Sequence, residues 1–350
     1  MIIVHSEKHR LRNSKTELFG GELVEPFERP SRVEYILERI RAVGLGEVIA
    51  PDAFGMEPIL RIHDAGFVAF LQSAWQEWQA EGYTGEAMIT CWPARRMAQR
   101  CPNHIEGKLG YYGLASETSI SDGTWEAAYS SAQVALTGAK LVMEGAGAAF
   151  ALCRPPGHHA ALDMYGGYCF LNNAAIATQS FLDKGAKRVA ILDVDFHHGN
   201  GTQDIFYTRD DVLFLSLHGQ PEDAFPHFLG YSDEVGTGAG TGFNHNYPMP
   251  SGTGFETWRI ALLDALEKVR AYQPDALVIS LGVDTFKNDP ISFFKLVSDD
   301  FTTFGGDIAA ANLPTLFVME GGYDIAEIGL NTVNVLQGFE AANTQNGVDQ

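Results

Sequence analysis

The 350-residue chain has no run of about 18 uninterrupted apolar residues, which excludes a transmembrane helix. It has four cysteines, Cys91, Cys101, Cys153 and Cys169, with no CxxC or other close pairing. Neither a disulfide framework nor a zinc–thiolate site is expected from them. Positive charge is scarce, with 24 Lys and Arg against 44 Asp and Glu, a net charge of −20. Such a surface repels nucleic acid and anionic membrane, so neither is expected as a partner. Most of these carboxylates form a solvated face; a minority can build a field that gathers a cationic substrate. Internal repeats, low-complexity tracts and Ser/Pro linkers are missing too. The opening MIIVHSEKHRLR lacks the order of a secretory signal, so a cytoplasmic protein is expected.

What is present is a rhythm of short apolar runs and longer amphipathic segments. Strands are expected at 1–4, 148–152, 188–195, 212–218, 276–283 and 315–320. Helices are expected at roughly 31–43, 64–80, 123–145, 172–184, 255–271, 298–312 and 324–339, with Asp122 as an N-cap and Gly185 as a C-cap. The strand runs are continuously rather than alternately apolar, the mark of parallel strands buried on both faces. The expected fold is a single α/β domain over 1–350: three αβα layers, a mostly parallel central sheet with helices on both faces, and long active-site loops. Two segments break the rhythm. Residues 81–121 form a long excursion poor in core pattern, expected to be functional or to make an interface. Residues 219–254, rich in Gly, Pro and aromatics, read as a second irregular excursion.

Chemistry gathers where the strands finish. In LDVDFHHGNGTQ, Asp193, Asp195 and His197 occupy alternate positions and project together. LGVDTF places Asp284 after a second strand, LCRPPGHHA sets His158 and His159 beyond a third, and VMEGGY brings Tyr323 after a fourth. Ligands of open α/β sheets bind outside the carboxyl ends of the strands. Each residue taken singly has an ordinary structural role as a cap, turn former or hydrogen-bonded histidine; their convergence on one rim outweighs those readings. Asp195, His197 and Asp284 form an O/N/O set suited to Zn²⁺ with an open position, a set Fe²⁺ or Mn²⁺ would also accept. Asp193 is placed behind the metal, orienting one of the paired histidines.

RPPGHHA, DVDFHHGNGTQ, LGVDTF and EGGY, in this order, resemble the arginase-like deacetylase superfamily, which includes the zinc-dependent histone deacetylases. The resemblance spans about residues 20 to 340, and IEGKLGYYGLASETSIS with DPISFFKL is most similar to the bacterial acetylpolyamine amidohydrolases. It implies one catalytic Zn²⁺ per subunit on Asp195, His197 and Asp284, with His158, His159 and Tyr323 as catalytic groups. It implies a structural K⁺ site involving Asp193, Ser216 and Leu217, and a substrate tunnel lined by Tyr168 and Phe225. Where many relatives place an aspartate behind the second histidine, this chain has Asn200. An amide supports an imidazolium less than a carboxylate does, so His159 is expected to be the neutral base and His158, backed by Asp193, the cationic one.

The implied reaction is hydrolysis of an acetamide on a slender cationic amine, an acetylated polyamine or diamine such as acetylputrescine. A protein lysine deacetylase of broad specificity is the alternative and shares the whole metal site. Glu106 and Glu117 match acidic residues of the resembling enzymes, where the 81–121 excursion meets a partner subunit and narrows the entrance; a homodimer is implied, and the two glutamates are expected to select a slender cationic amine over bulky protein substrates. A two-Mn²⁺ ureohydrolase needs more bridging carboxylates than LGVDTF offers. The glycine-rich GTGAGTG at 236–242 lacks the preceding strand and following helix of a nucleotide fingerprint.

Overall fold

The computed structural model describes residues 1–348. Ten strands are formed: β1 (Ile2–Val4), β2 (Glu17–Phe19), β3 (Glu22–Val24), β4 (Glu47–Ile49), β5 (Ala148–Ala151), β6 (Val189–Asp193), β7 (Val212–Gly219), β8 (Asn244–Met249), β9 (Ala276–Leu281) and β10 (Thr315–Met319). The helices are α1 (Ser31–Val43), α2 (Glu57–Leu60), α3 (Ala65–Ala80), α4 (Ile105–Tyr112), α5 (Thr124–Met143), α6 (Asn173–Asp183), α7 (Asn200–Phe206), α8 (Phe255–Tyr272), α9 (Ser298–Ala309) and α10 (Ile328–Val348). Eight strands make one sheet in the order β4-β1-β5-β10-β9-β6-β7-β8, and every neighbouring pair is parallel. β2 and β3 form a separate antiparallel hairpin.

The continuous apolar runs split between two cores because neighbouring side chains face opposite ways. On β6, Val189 and Ile191 pack in one core with residues of α3, α5 and α6, whereas Ala190 and Leu192 pack in the other with residues of α1, α8, α9 and α10. β9 and β10 divide likewise, Val278 and Val318 to the first face, Ile279 and Phe317 to the second. This is the expected three-layer arrangement.

The helix ends carry local signals. The Asp64 carboxylate accepts from the Gly66 and Phe67 amides, and Asn172 accepts from Ala175 N–H, satisfying donors a first turn leaves free. The C-cap of α6 is Lys184 rather than Gly185, which takes the next position at φ +108°. Asp122 does not cap α5: its side chain is exposed, while Gly123 takes the left-handed conformation and Thr124 Oγ1 accepts from Ser121 N–H.

Both excursions hold more order than their composition suggests. Residues 219–254 contain β8, whose sequence NHNYPM is too polar to read as a strand but pairs along β7 at the sheet edge. Within 81–121, Ala87 pairs with Ile120, and Ile89, Ile105 and Leu109 are buried in the first core. Its tip, residues 90–101, stays exposed.

Candidate active site

The four central strands of the sheet, β5, β10, β9 and β6, are neighbours in space, and their carboxyl ends deliver the reactive groups. Asp195 and His197 follow β6, Asp284 follows β9, His158 and His159 follow β5, and Tyr323 follows β10. All six are buried.

His197 Nδ1 lies 3.3 Å from Asp195 Oδ1 and 3.0 Å from Asp284 Oδ2. One ligand atom from each of these three residues falls within 4.8 Å of the others. Backbone amides hold the carboxylates: Phe196 N–H donates to Asp284 Oδ1 at 2.7 Å, and Gly321 N–H donates to Asp195 Oδ2 at 2.8 Å. A Cβ on Gly321 would lie 2.5 Å from the Oδ2 atoms of both Asp195 and Asp284, so only glycine lets the β10 loop close over them. Burial opposes charge here, yet the two carboxylates hold His197 up at about 10. Burial and the Asp195 charge push Asp284 up to about 6. The cluster thus favours positive charge at its centre, and its dry O/N/O donor set fits a divalent transition ion.

The tandem histidines have different partners. His158 Nδ1–H donates to Asp193 Oδ2 at 2.9 Å, and His159 Nδ1–H donates to Asn200 Oδ1 at 2.6 Å. Burial lowers both imidazoles, but Asp193 and Asp195 more than offset it at His158, which is pushed up to about 10. His159, with burial and two neighbouring histidines against it, is held well below the usual range. Burial keeps the Tyr323 phenol well above its ordinary range despite the nearby Arg32, so it remains a donor.

A pocket of about 340 Å³ opens onto these groups, lined by His159, His197 and Tyr323 at its base and by Tyr168, Phe225 and Phe293 above. Tyr168 adopts φ +66° after Gly167, where a Cβ would meet His159 Cδ2 at 2.2 Å. The loop therefore passes against the His159 imidazole because residue 167 is glycine. Glu117 Oε1 accepts from Gly167 N–H at 2.9 Å.

Three carboxylates, Glu17, Glu117 and Asp223, line the pocket, and no lysine or arginine does among the described residues. Glu106 does not reach it. That residue sits half-exposed in the first turn of α4, its carboxylate 3.8 Å from His104 and away from the pocket. Ser216 pairs in register with Asp193 and bonds through its hydroxyl to His218, with Leu217 next along β7.

Several contributors escaped the sequence reading. Glu17, Leu18, Phe19 and Gly20 of the β2–β3 hairpin line the mouth, and Glu17 accepts from the Tyr168 hydroxyl at 2.6 Å. The signal was available in TELFGGELV, two short strand-like runs around a Gly-Gly turn. Buried Asp289 accepts from the amides of Tyr323 (2.7 Å) and Ile291 (3.1 Å). Arg32 donates to the carbonyls of Gly322 and Glu320, both at 2.6 Å, with its guanidinium 4.8 Å over the Tyr323 ring.

A parallel α/β sheet whose strand ends converge a carboxylate–imidazole–carboxylate set with paired histidines and a tyrosine defines a metal-dependent amide hydrolase. The chain belongs to the histone deacetylase family: the histone deacetylase domain model matches residues 26–339. It is 60% identical over 338 residues to the acetylpolyamine amidohydrolase of Mycoplana ramosa, covering 97% of this chain and 99% of that one. It is 58% identical over 344 residues to acetylpolyamine amidohydrolase 1 of Pseudomonas aeruginosa, covering 98% and 99%. The crystal structure of acetylpolyamine aminohydrolase from Burkholderia pseudomallei matches with a TM-score of 0.93 at 40% identity, over 98% of this chain and 99% of that one.

Proposed function

We propose that the protein is a zinc-dependent amidohydrolase that converts acetylated polyamines or diamines to the free amine and acetate. The observation that carries the substrate class is the pocket lining. Aromatic walls suit a methylene chain, and three carboxylates without a cation suit an ammonium at its far end. Relatives that cover nearly all of the chain carry the acetylpolyamine amidohydrolase name.

Asp195, His197 and Asp284 would hold the metal, which supplies Lewis acidity to the substrate carbonyl and acidifies a water. Neutral His159, its Nδ1–H fixed on Asn200, presents Nε2 to take the water's proton as oxygen attacks carbon. Tyr323 donates its phenolic proton as a hydrogen bond to the developing oxyanion. The imidazolium formed at His159 then protonates the leaving amine, while His158 stays cationic against Asp193 and keeps the site's field positive. Asp193, Ser216 and Leu217 are the proposed K⁺ surroundings behind this pair.

The exposed tip of the 81–121 excursion, with Trp92 and Met97 at its surface, is the proposed contact with a second copy, in which Glu106 would face the partner's pocket. Sedimentation velocity tests the dimer: a monomer at micromolar concentration refutes it. The substrate reading is tested by kcat/KM on acetylputrescine, acetylcadaverine, acetylspermidine and an acetyl-lysine peptide. The acetylated amines are expected to be preferred, and equal or better turnover of the peptide identifies a protein deacetylase instead.

A further inference from the structure

Away from the pocket, the segment HSEKH at residues 5–9 assembles a second group of ligand-type side chains. His5 directly follows β1 and its N–H donates to Ile49 O at 2.9 Å, while Glu7 and His9 lie on the single 3-10 turn Glu7–Leu11. Ser6 caps that turn by accepting from Lys8 N–H, so the backbone presenting all three residues is fixed.

His5 and His9 are 7% and 2% exposed, with ring centroids 5.2 Å apart. Neither Nδ1 nor Nε2 of either ring has a hydrogen-bond partner in the protein. Four unpaired buried nitrogens in two touching rings are unusual, since buried polar side-chain atoms in folded proteins nearly always find a partner. The nearest carboxylate oxygen to His5 Nε2 is Glu7 Oε1, at 3.5 Å. One nitrogen from each ring and a Glu7 oxygen all lie within 4.8 Å of one another.

We propose that His5, Glu7 and His9 form a second divalent-metal site, of the two-imidazole, one-carboxylate type, for Zn²⁺ or a similar first-row ion, with its fourth position open to water. Arg10 is engaged by Glu7 and Glu34, each at 3.1 Å, and Arg154 by Glu28. The Glu7 side chain is 66% exposed and is free to swing from Arg10 onto the ion, closing the ligand set.

The site's role is structural. Arg154, which precedes the catalytic histidines, donates to the His9 carbonyl and to Glu28. The chain leaving the turn runs on into β2, whose hairpin lines the pocket mouth. An ion at His5–Glu7–His9 pins the segment from which both depend.

The test is Zn²⁺ and Co²⁺ titration of metal-stripped full-length protein, read as bound ions per chain and as the cobalt d–d spectrum. The unmutated chain is expected to bind two ions, and His5→Ala and His9→Ala one each. Glu7→Gln changes only an exposed side chain; it should weaken the second ion by about tenfold or more without altering activity per catalytic ion. In an Asp195→Ala background, which disables the catalytic set, added Zn²⁺ should still raise Tm, and the further change His9→Ala should abolish that rise. One ion per chain at saturation, or a second ion that persists unweakened in both Glu7→Gln and His9→Ala, overturns the proposal.

Discussion

The floor and the mouth of the pocket are built differently. At the floor, Asp195, Asp284, His158 and His159 are at most 3% exposed and follow the carboxyl ends of β6, β9 and β5 in the parallel sheet. Their imidazoles are bound to Asp193 and Asn200, and their carboxylates to His197 and to backbone amides. At the mouth, Glu17, Leu18, Phe19 and Gly20 come from a two-stranded hairpin outside the main sheet, with Phe19 49% exposed. Glu117 comes from the long excursion, and Ile291 and Phe293 from the loop after β9. A floor preorganised in this way sets the reaction, because fixed dipoles and donors need no rearrangement as charge develops. A mouth made of loops sets which amine is admitted, because such segments change without disturbing the sheet.

That division makes ordered predictions. Removing the base with His159→Ala should lower kcat by about 10²–10⁴-fold on every acetylated substrate alike. Tyr323→Phe should lower it by about 10²–10³-fold with little change in KM, since the phenol acts on the oxyanion rather than on the amine. A mutant with near-normal turnover would remove Tyr323 from the chemistry. Asn200→Asp places a carboxylate at His159 Nδ1 and raises its pKa. The base must be neutral, so the acidic limb of kcat/KM against pH should move up by about one unit; an unmoved or lowered limb contradicts the assignment. Asp289→Ala leaves the Tyr323 and Ile291 amides without their acceptor, and should cost about 1–3 kcal/mol of stability along with a fall in kcat. Because Asp289 joins the Tyr323 loop to the Ile291 loop, a purely structural role would move Tm and leave kcat alone. Smallest, Glu117→Gln should raise KM several-fold for acetylputrescine and leave an acetyl-lysine peptide unchanged. Equal effects on both would mean that mouth and floor are not separable.

The same contrast governs how much could be read from residues alone. Asp193, Asp195 and His197 stand within five positions of each other at the end of an apolar run, so strand alternation already places them together. Asp284, His158 and Tyr323 each follow their own strand, and parallel pairing brings those ends to one rim. His158 bonds to Asp193 and His159 to Asn200, both partners lying in the same short motif that runs on from the end of β6. The mouth resists such reading because its contacts cross large separations: Glu17 meets Tyr168 over 151 positions. Glu106 and Glu117 look alike in sequence, yet only Glu117 lines the pocket; α4 turns Glu106 toward His104. β8 was hidden because an edge strand can be polar, its pairing coming from the backbone rather than from an apolar face.

The central claim is that amide hydrolysis depends on a divalent ion held by Asp195, His197 and Asp284. Acetate release from acetylputrescine, followed in protein stripped by a strong chelator and then resupplied with Zn²⁺, tests it most directly. Turnover should vanish on stripping, return with Zn²⁺ in the unmutated chain, and fail to return in Asp195→Ala. Undiminished acetate release from metal-free protein would contradict it.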